Sequence, residues 1–266
     1  MSRSRGVLVL LCLAVASSLA AGAPAHAGSG GRHPFGTPMR NYLAGRQSRV
    51  GAALLDLDSG QLWQYHPLRQ FDTGSVVKVQ ILGALLHRAK VEHRLLTSWE
   101  RNNAARMIEN SDNDSATRLW NSLGAESGIA EFDQEAGLTH TSPQYHWGLT
   151  LTTAPDQVHL VKTLVKRSAL YGKRAAYGLH LMENVESDQR WGVSAGARNE
   201  SGTTIALKNG WLPETDERQW IINSVGWISG NGRNYVLAVL TDENPSMTYG
   251  VDTIEGVARI VWNDLG

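Results

Sequence analysis

The sequence predicts an α/β chain of the α+β type. An antiparallel sheet is built from both chain ends, helices flank it, and an all-helical lobe is inserted between its two halves. Three observations carry this. A β-hairpin pattern stands early, in "SRVGAALLDLDSGQLWQYHP" (48–67). Strand-like runs return only in the last third, in "TTIALKNGWL", "RQWIINSVGWI" and "NYVLAVLT". Between them, up to residue 185, the apolar positions follow helical periodicity. Strands at both ends with helices between are most simply assembled as one sheet and a helical insertion.

The elements follow in chain order. Arg3 and Arg5 precede an apolar run from Gly6 to Ala21, and Ala25-His26-Ala27 supplies the small residues of a cleavage site. That layout predicts a signal peptide over 1–27 and a secreted protein. Leu11, before the only cysteine, Cys12, is too bulky for a lipoprotein site. Cleavage near Ala27 leaves a mature chain with neither disulfides nor thiol chemistry. Residues 28–36 are Gly-rich and read as a flexible leader. The domain then runs over 37–266, with a sheet lobe at about 37–90 and 186–266 and a helical lobe at about 91–185.

Residues 38–46 suit a short helix. In the hairpin, Asp58-Ser59-Gly60 supplies the tight turn, and the first arm, Val50 to Leu57, is nearly all apolar, as an interior strand is. Residues 74–90 are apolar almost all round, which predicts a helix enclosed between layers. Helices follow at 97–110, 114–123 and 125–136. The stretch 137–150, with Gly137, Pro143 and Gly148, reads as a loop. Helices resume at 153–167 and 171–185. "SGNGR" (229–233) turns the chain between the last two strands. The chain ends on a helix whose Val251, Ile254, Val257, Ala258, Val261 and Leu265 share one face.

Composition narrows the function. Lys and Arg number 25 against 25 Asp and Glu, with no basic block, so nucleic acid is excluded as a partner. No apolar stretch of the mature chain is long enough to span a membrane. The histidines are scattered and no cysteine remains, so neither a metal site nor a cofactor is expected. The expected partner is a small molecule, and the chain is expected to be a monomer.

Three short segments carry chemistry. In "FDTGSVVKVQILGALL" (71–86), Ser75 opens the buried helix and Lys78 follows one turn on. First-turn amides without an intrahelical partner favour developing negative charge there, and apolar neighbours depress a lysine pKa toward that of a general base. The plainer reading is a capping serine with a lysine that snorkels to water. The second segment is Ser111-Asp112-Asn113, between two helices. It offers a hydroxyl and an amide to a site, with Asp112 bracing the turn; the plainer reading is a helix cap at Asp114 or Ser115. The third is Lys208-Asn209-Gly210 followed by Trp211, where a cation sits on a strand and glycine permits close backbone approach. Its plainer reading is a protective edge lysine.

Ser-x-x-Lys, Ser-Asp-Asn and Lys-x-Gly in this order form one set. With it the chain resembles the class A β-lactamases and penicillin-binding proteins, from the hairpin to the last helix. The resemblance implies that Ser75 is acylated, Lys78 is its base and Ser111 relays a proton to the leaving nitrogen. It also implies that Asn113 and Asn209 contact substrate and that Lys208 attracts a substrate carboxylate. The N–H groups of Ser75 and Trp211 would then bind the oxyanion, beside Gly210. The substrate would be a β-lactam or a cell-wall peptide.

Three departures from the family pattern stand out. Asn209 occupies a position where the family carries a hydroxyl. The interval from Ser75 to Ser111 is short. The loop "GLTHTSPQYHWG", ahead of "LTTAPD" (151–156), lacks the deacylating Glu-x-x-Leu-Asn and has no carboxylate. Glu135 is the nearest acid upstream. His146 is a loop residue with a suitable pKa, and its plainer reading is a surface histidine. The sequence therefore points to a secreted serine hydrolase that opens β-lactam rings through a Ser75 acyl-enzyme. The alternatives are a penicillin-binding D-alanyl peptidase or esterase with slow lactam turnover, and a non-catalytic cell-wall-binding module on the same fold.

Overall fold

The unbroken apolar run from Val50 to Leu55 gives β1 (Arg49–Asp56) an interior place in the sheet, since a strand covered on both faces needs no polar alternation. In this computed structural model the described residues are Met1, 33–213 and 219–266. The signal-peptide segment with Cys12, apart from Met1, and the leader up to Arg32 lie outside them.

β1 pairs antiparallel with β2 (Leu62–Tyr65), Leu54 facing Trp63, and closes the expected hairpin. Its other edge pairs with β7 (Arg233–Asn244), Ala53 facing Ala238. β6 (Trp220–Gly230) and β5 (Thr204–Pro213) complete a five-stranded antiparallel sheet in the order β2-β1-β7-β6-β5. Both chain ends therefore build one sheet, and β5 is an edge strand. β7 is buried at every position from Tyr235 to Asp242, so both faces are covered. α8 (Met247–Asp264) covers one face, with Ile254, Val257, Ala258 and Val261 buried, and α1 (Thr37–Ala44) packs against α8. α6 (Ala154–Val165) covers the other, packed on β1, β6 and β7.

The expected central helix begins with a 3₁₀ turn over Gly74–Val76 and continues as α2 (Val77–Val91). Every residue from Val77 to Leu86 is buried. The helix is enclosed by α3 (Ser98–Glu109), α4 (Asn113–Ser122), α5 (Ala125–Ala136), α6 and α7 (Ala175–Glu183). α7 is shorter than the sequence suggests, because a separate 3₁₀ turn occupies Gly172–Arg174. No helix among the described residues is long and apolar enough to cross a membrane.

Caps set the helix starts. The Thr97 hydroxyl accepts from the Glu100 N–H at 3.2 Å, and the Glu100 carboxylate accepts from the Thr97 N–H at 2.8 Å, a reciprocal box. Arg88 and Arg94 also hydrogen-bond Glu100, at 3.1 and 2.8 Å. Burial pushes the Glu100 carboxyl up, but the bonds from Arg94, Thr97 and Arg88 outweigh it and bring it down to about 2. Deeper in, Gln80 of α2 donates to both carboxyl oxygens of Asp133 on α5, at 2.6 and 2.7 Å. Burial, with Asp156 nearby, pushes Asp133 up to about 8 despite that bond.

Candidate active site

Ser75 is placed by a short segment clamped from three sides. Phe71–Asp72 (β3) pairs with Leu151–Thr152 (β4), a ribbon too short to leave a period in the sequence. The Thr73 N–H donates to the Thr150 carbonyl at 2.9 Å. From the sheet, the Asn223 amide donates to the carbonyls of Asp72 and Thr73, at 2.8 and 3.0 Å. Asn223 is buried on β6 among apolar neighbours, and nothing local in the sequence sets it apart.

Glycine brings β5 against this segment. A Cβ on Gly210 would stand 2.6 Å from the Ser75 nitrogen and 2.7 Å from the Val76 nitrogen. A Cβ on Gly74, which has φ +52, would meet the Trp211 nitrogen at 3.0 Å. Only two glycines facing each other let the amides of Ser75 and Trp211 converge at one junction.

The two lysines meet at Ser111. Lys78 is buried, and its Nζ donates to the Ser111 carbonyl at 2.6 Å, the Ser111 hydroxyl at 3.1 Å and Asn113 Oδ1 at 2.7 Å. Lys208 Nζ reaches the same hydroxyl at 3.0 Å. Ser111 has φ +55, a left-handed conformation uncommon outside glycine, which turns both its carbonyl and its hydroxyl to Lys78. Asp112 holds that turn by accepting from the Ser115 N–H at 2.7 Å, so the cap of α4 is Asp112 rather than Asp114 or Ser115. Burial lowers the Lys78 pKa to about 7, against a smaller upward pull from Asp112. Burial and the Lys78 charge push Lys208 well below its ordinary value. The resulting array is a hydroxyl between two amines that shed protons easily. No hydrogen bond joins Ser75 to Lys78 among the described contacts.

A cleft of about 450 Å³ opens over this array. Ser75, Ser111, Asn113 and Trp211 line it. Lys208 and Asn209 do not. Lys208 is buried and also donates to the Asn209 carbonyl at 3.0 Å. The Asn209 amide donates to the carbonyls of Gln189 and Trp191, at 2.8 and 3.0 Å, and so pins the segment behind the cleft. Asn209, expected to contact substrate, is buried here with its amide on two backbone carbonyls and lies outside the lining of the cleft. The Lys208 amine bonds one residue of the cleft lining, Ser111.

The remaining lining was not legible in the sequence. Trp147, Trp191, Glu186 and Asp188 enter the cleft from loops with no periodicity. Trp147 lies beside Lys78: its ring centroid is 5.1 Å from Lys78 Nζ, and its indole N–H donates to Thr117 at 3.1 Å. His146 is exposed, stacks edge-on against Tyr145 and lines a neighbouring hollow, as a surface histidine does. Glu135 is paired with His87 at 2.8 Å and lies outside the cleft. Among the described residues no group of His, Cys, Asp or Glu is arranged to hold a metal.

Solved structures share this architecture. TLA-1 extended-spectrum β-lactamase superposes with a TM-score of 0.75 at 17% identity, over 85% of this chain and 96% of its own. A class A β-lactamase from Mycobacterium abscessus gives 0.72 at 23% identity, over 85% and 96%. A class A representative from Bacteroides cellulosilyticus DSM 14838 gives 0.72 at 18%, over 85% and 95%. The fold is that of the class A β-lactamases. No curated protein matches the sequence. The description of the beta-lactamase enzyme family matches residues 100–265, and the chain belongs to that family. The match takes in Ser111, Asn113 and Lys208 to Trp211 and begins after Ser75 and Lys78.

Proposed function

We propose that the chain is a secreted serine hydrolase that opens β-lactam rings through an acyl-enzyme on Ser75. The observation that carries this reading is the Lys78 amine, buried, lowered to about 7 and bonded to the hydroxyl of Ser111, a residue that lines the cleft with Ser75. Ser75 Oγ attacks the lactam carbonyl carbon and passes its proton to neutral Lys78. The oxyanion is held by the N–H groups of Ser75 and Trp211. The ring C–N bond breaks as Ser111 gives its proton to the nitrogen and takes one from Lys78 or Lys208, whose amines stand 3.1 and 3.0 Å from its hydroxyl. Asn113 orients the substrate amide. Water then hydrolyses the Ser75 ester.

One observation favours a second reading, a penicillin-binding enzyme whose acyl-enzyme persists. The group beside Lys78 is the Trp147 indole, and the loop that carries it has no carboxylate to activate water. Incubation with a penicillin, read by mass spectrometry, tests both. The expected result is one adduct on Ser75 within minutes and none in Ser75→Ala. Turnover of a chromogenic cephalosporin selects the first reading; a stable adduct without turnover selects the second. No adduct with any lactam rejects both.

A further inference from the structure

The cleft that holds Ser75 is lined by three indoles, Trp147, Trp191 and Trp211. The rings of Trp191 and Trp211 stand 6.2 Å apart, tilted 53° to each other. Indole faces are electron-rich and attract cations, quaternary ammonium groups among them. Trp147 already faces the Lys78 amine, which leaves the Trp191–Trp211 pair for a ligand.

The charged part of the lining has the same preference. Glu186 and Asp188 are exposed and border the cavity. Glu186 accepts a hydrogen bond from the neutral amide of Asn110, which orients its carboxylate, and among the described residues it has no ion-pair partner. Among the described residues, no arginine and no exposed lysine lines the cleft. The two lysines beneath it are buried and committed to Ser111, Asn113 and the Asn209 carbonyl. A cation in the cleft would meet two opposite charges and two indoles.

We propose that the Ser75 cleft takes acyl donors that carry an ammonium group, seated against Trp191 and Trp211 with Glu186 and Asp188 as its counter-charge. The proposal rests on the reading of Ser75 as the acylated residue and names the class of substrate for that same site.

Choline and 3,3-dimethylbutanol have the same shape and differ in charge, and they separate the two claims. Their binding to the Ser75→Ala variant, followed by tryptophan fluorescence, needs no chemistry. Choline is expected to bind on the order of tenfold more tightly than the neutral alcohol. In the intact chain, acylation of Ser75 by acetylcholine is expected to outpace that by 3,3-dimethylbutyl acetate by a similar factor. That ratio is expected to fall toward one in a Glu186→Gln/Asp188→Asn variant that melts like the wild type, and again in Trp191→Leu. Equal binding of the two alcohols and equal reaction of the two esters would overturn the proposal. Selective choline binding without any acyl adduct on Ser75 would keep the ammonium site and reject the serine reading. Labelling of Ser75 without charge preference would do the reverse.

Discussion

Gly210 lies so close to Ser75 that a single added methyl group on it would stand 2.6 Å from the Ser75 backbone nitrogen. Its other neighbours, the Thr73 oxygen and the Val76 nitrogen at 2.7 Å, are also backbone, so no side-chain rotation relieves the clash. Gly210→Ala is expected to push β5 away from the start of α2, cost about 1–3 kcal/mol in stability and slow Ser75 acylation at least roughly tenfold by separating the two oxyanion donors. Chemical denaturation and the rate of adduct formation check the two effects separately. Wild-type acylation in a folded Gly210→Ala variant would show that the junction is not the oxyanion site.

The Lys78 amine titrates at about 7. Its neutral form is the base, so the acylation rate is expected to be low below that pH and to rise as pH passes through it. Lys78→Arg keeps the positive charge but has no accessible neutral form, and is expected to lose on the order of a hundredfold or more in acylation at every pH. A pH profile of the single-turnover acylation rate measures both. A profile flat from pH 5 to 9 would remove Lys78 from the role of base.

Asp133 behaves in the opposite sense to a surface carboxylate. Burial raises its folded-state pKa to about 8, against 3.8 as the ordinary value. The folded state therefore holds a proton that the unfolded state releases. The associated stability is fully present below about pH 3.8 and is lost as pH rises through about 8. Asp133→Asn keeps an acceptor for Gln80 without the titration. Its melting temperature relative to wild type is expected to climb between pH 5 and 8.5; a constant difference would refute the assignment.

Glu100 has the reverse sign. Its pKa is lowered to about 2 from 4.5, so its contribution is present above pH 4.5 and is lost as pH falls toward 2. Glu100→Gln weakens the bonds to Arg88 and Arg94 and to the Thr97 amide, and is expected to cost about 2 kcal/mol near pH 7. Urea melts at pH 7 and pH 3 check this: the gap between wild type and variant should narrow at the lower pH.

Much of the fold could be read from neighbouring residues alone. The helix over 125–136 and the buried face of α8 each show their period within one element, and β1 shows its burial as an unbroken apolar run. The two-residue ribbon β3–β4 had no such period to show. At the site, Ser75 with Lys78, Ser111 with Asn113 and Lys208 with Gly210 were visible as motifs, since each spans only a few residues.

What the sequence determined by itself was the order of strands and helices, and the motifs that carry Ser75, Lys78, Ser111 and Lys208. Only the tertiary structure decided what those residues touch. Ser111 meets Lys78 across 33 positions and Lys208 across 97, contacts set by how α2, α4 and β5 pack. Packing also turned Asn209 away from the cleft, drew Asn223 to the carbonyls of Asp72 and Thr73, and brought Trp147 together with Glu186, Asp188 and Trp191 of a second segment into one cavity. Periodicity is local, whereas the wall of a cleft is assembled from distant segments whose side chains find one another only after the core has closed.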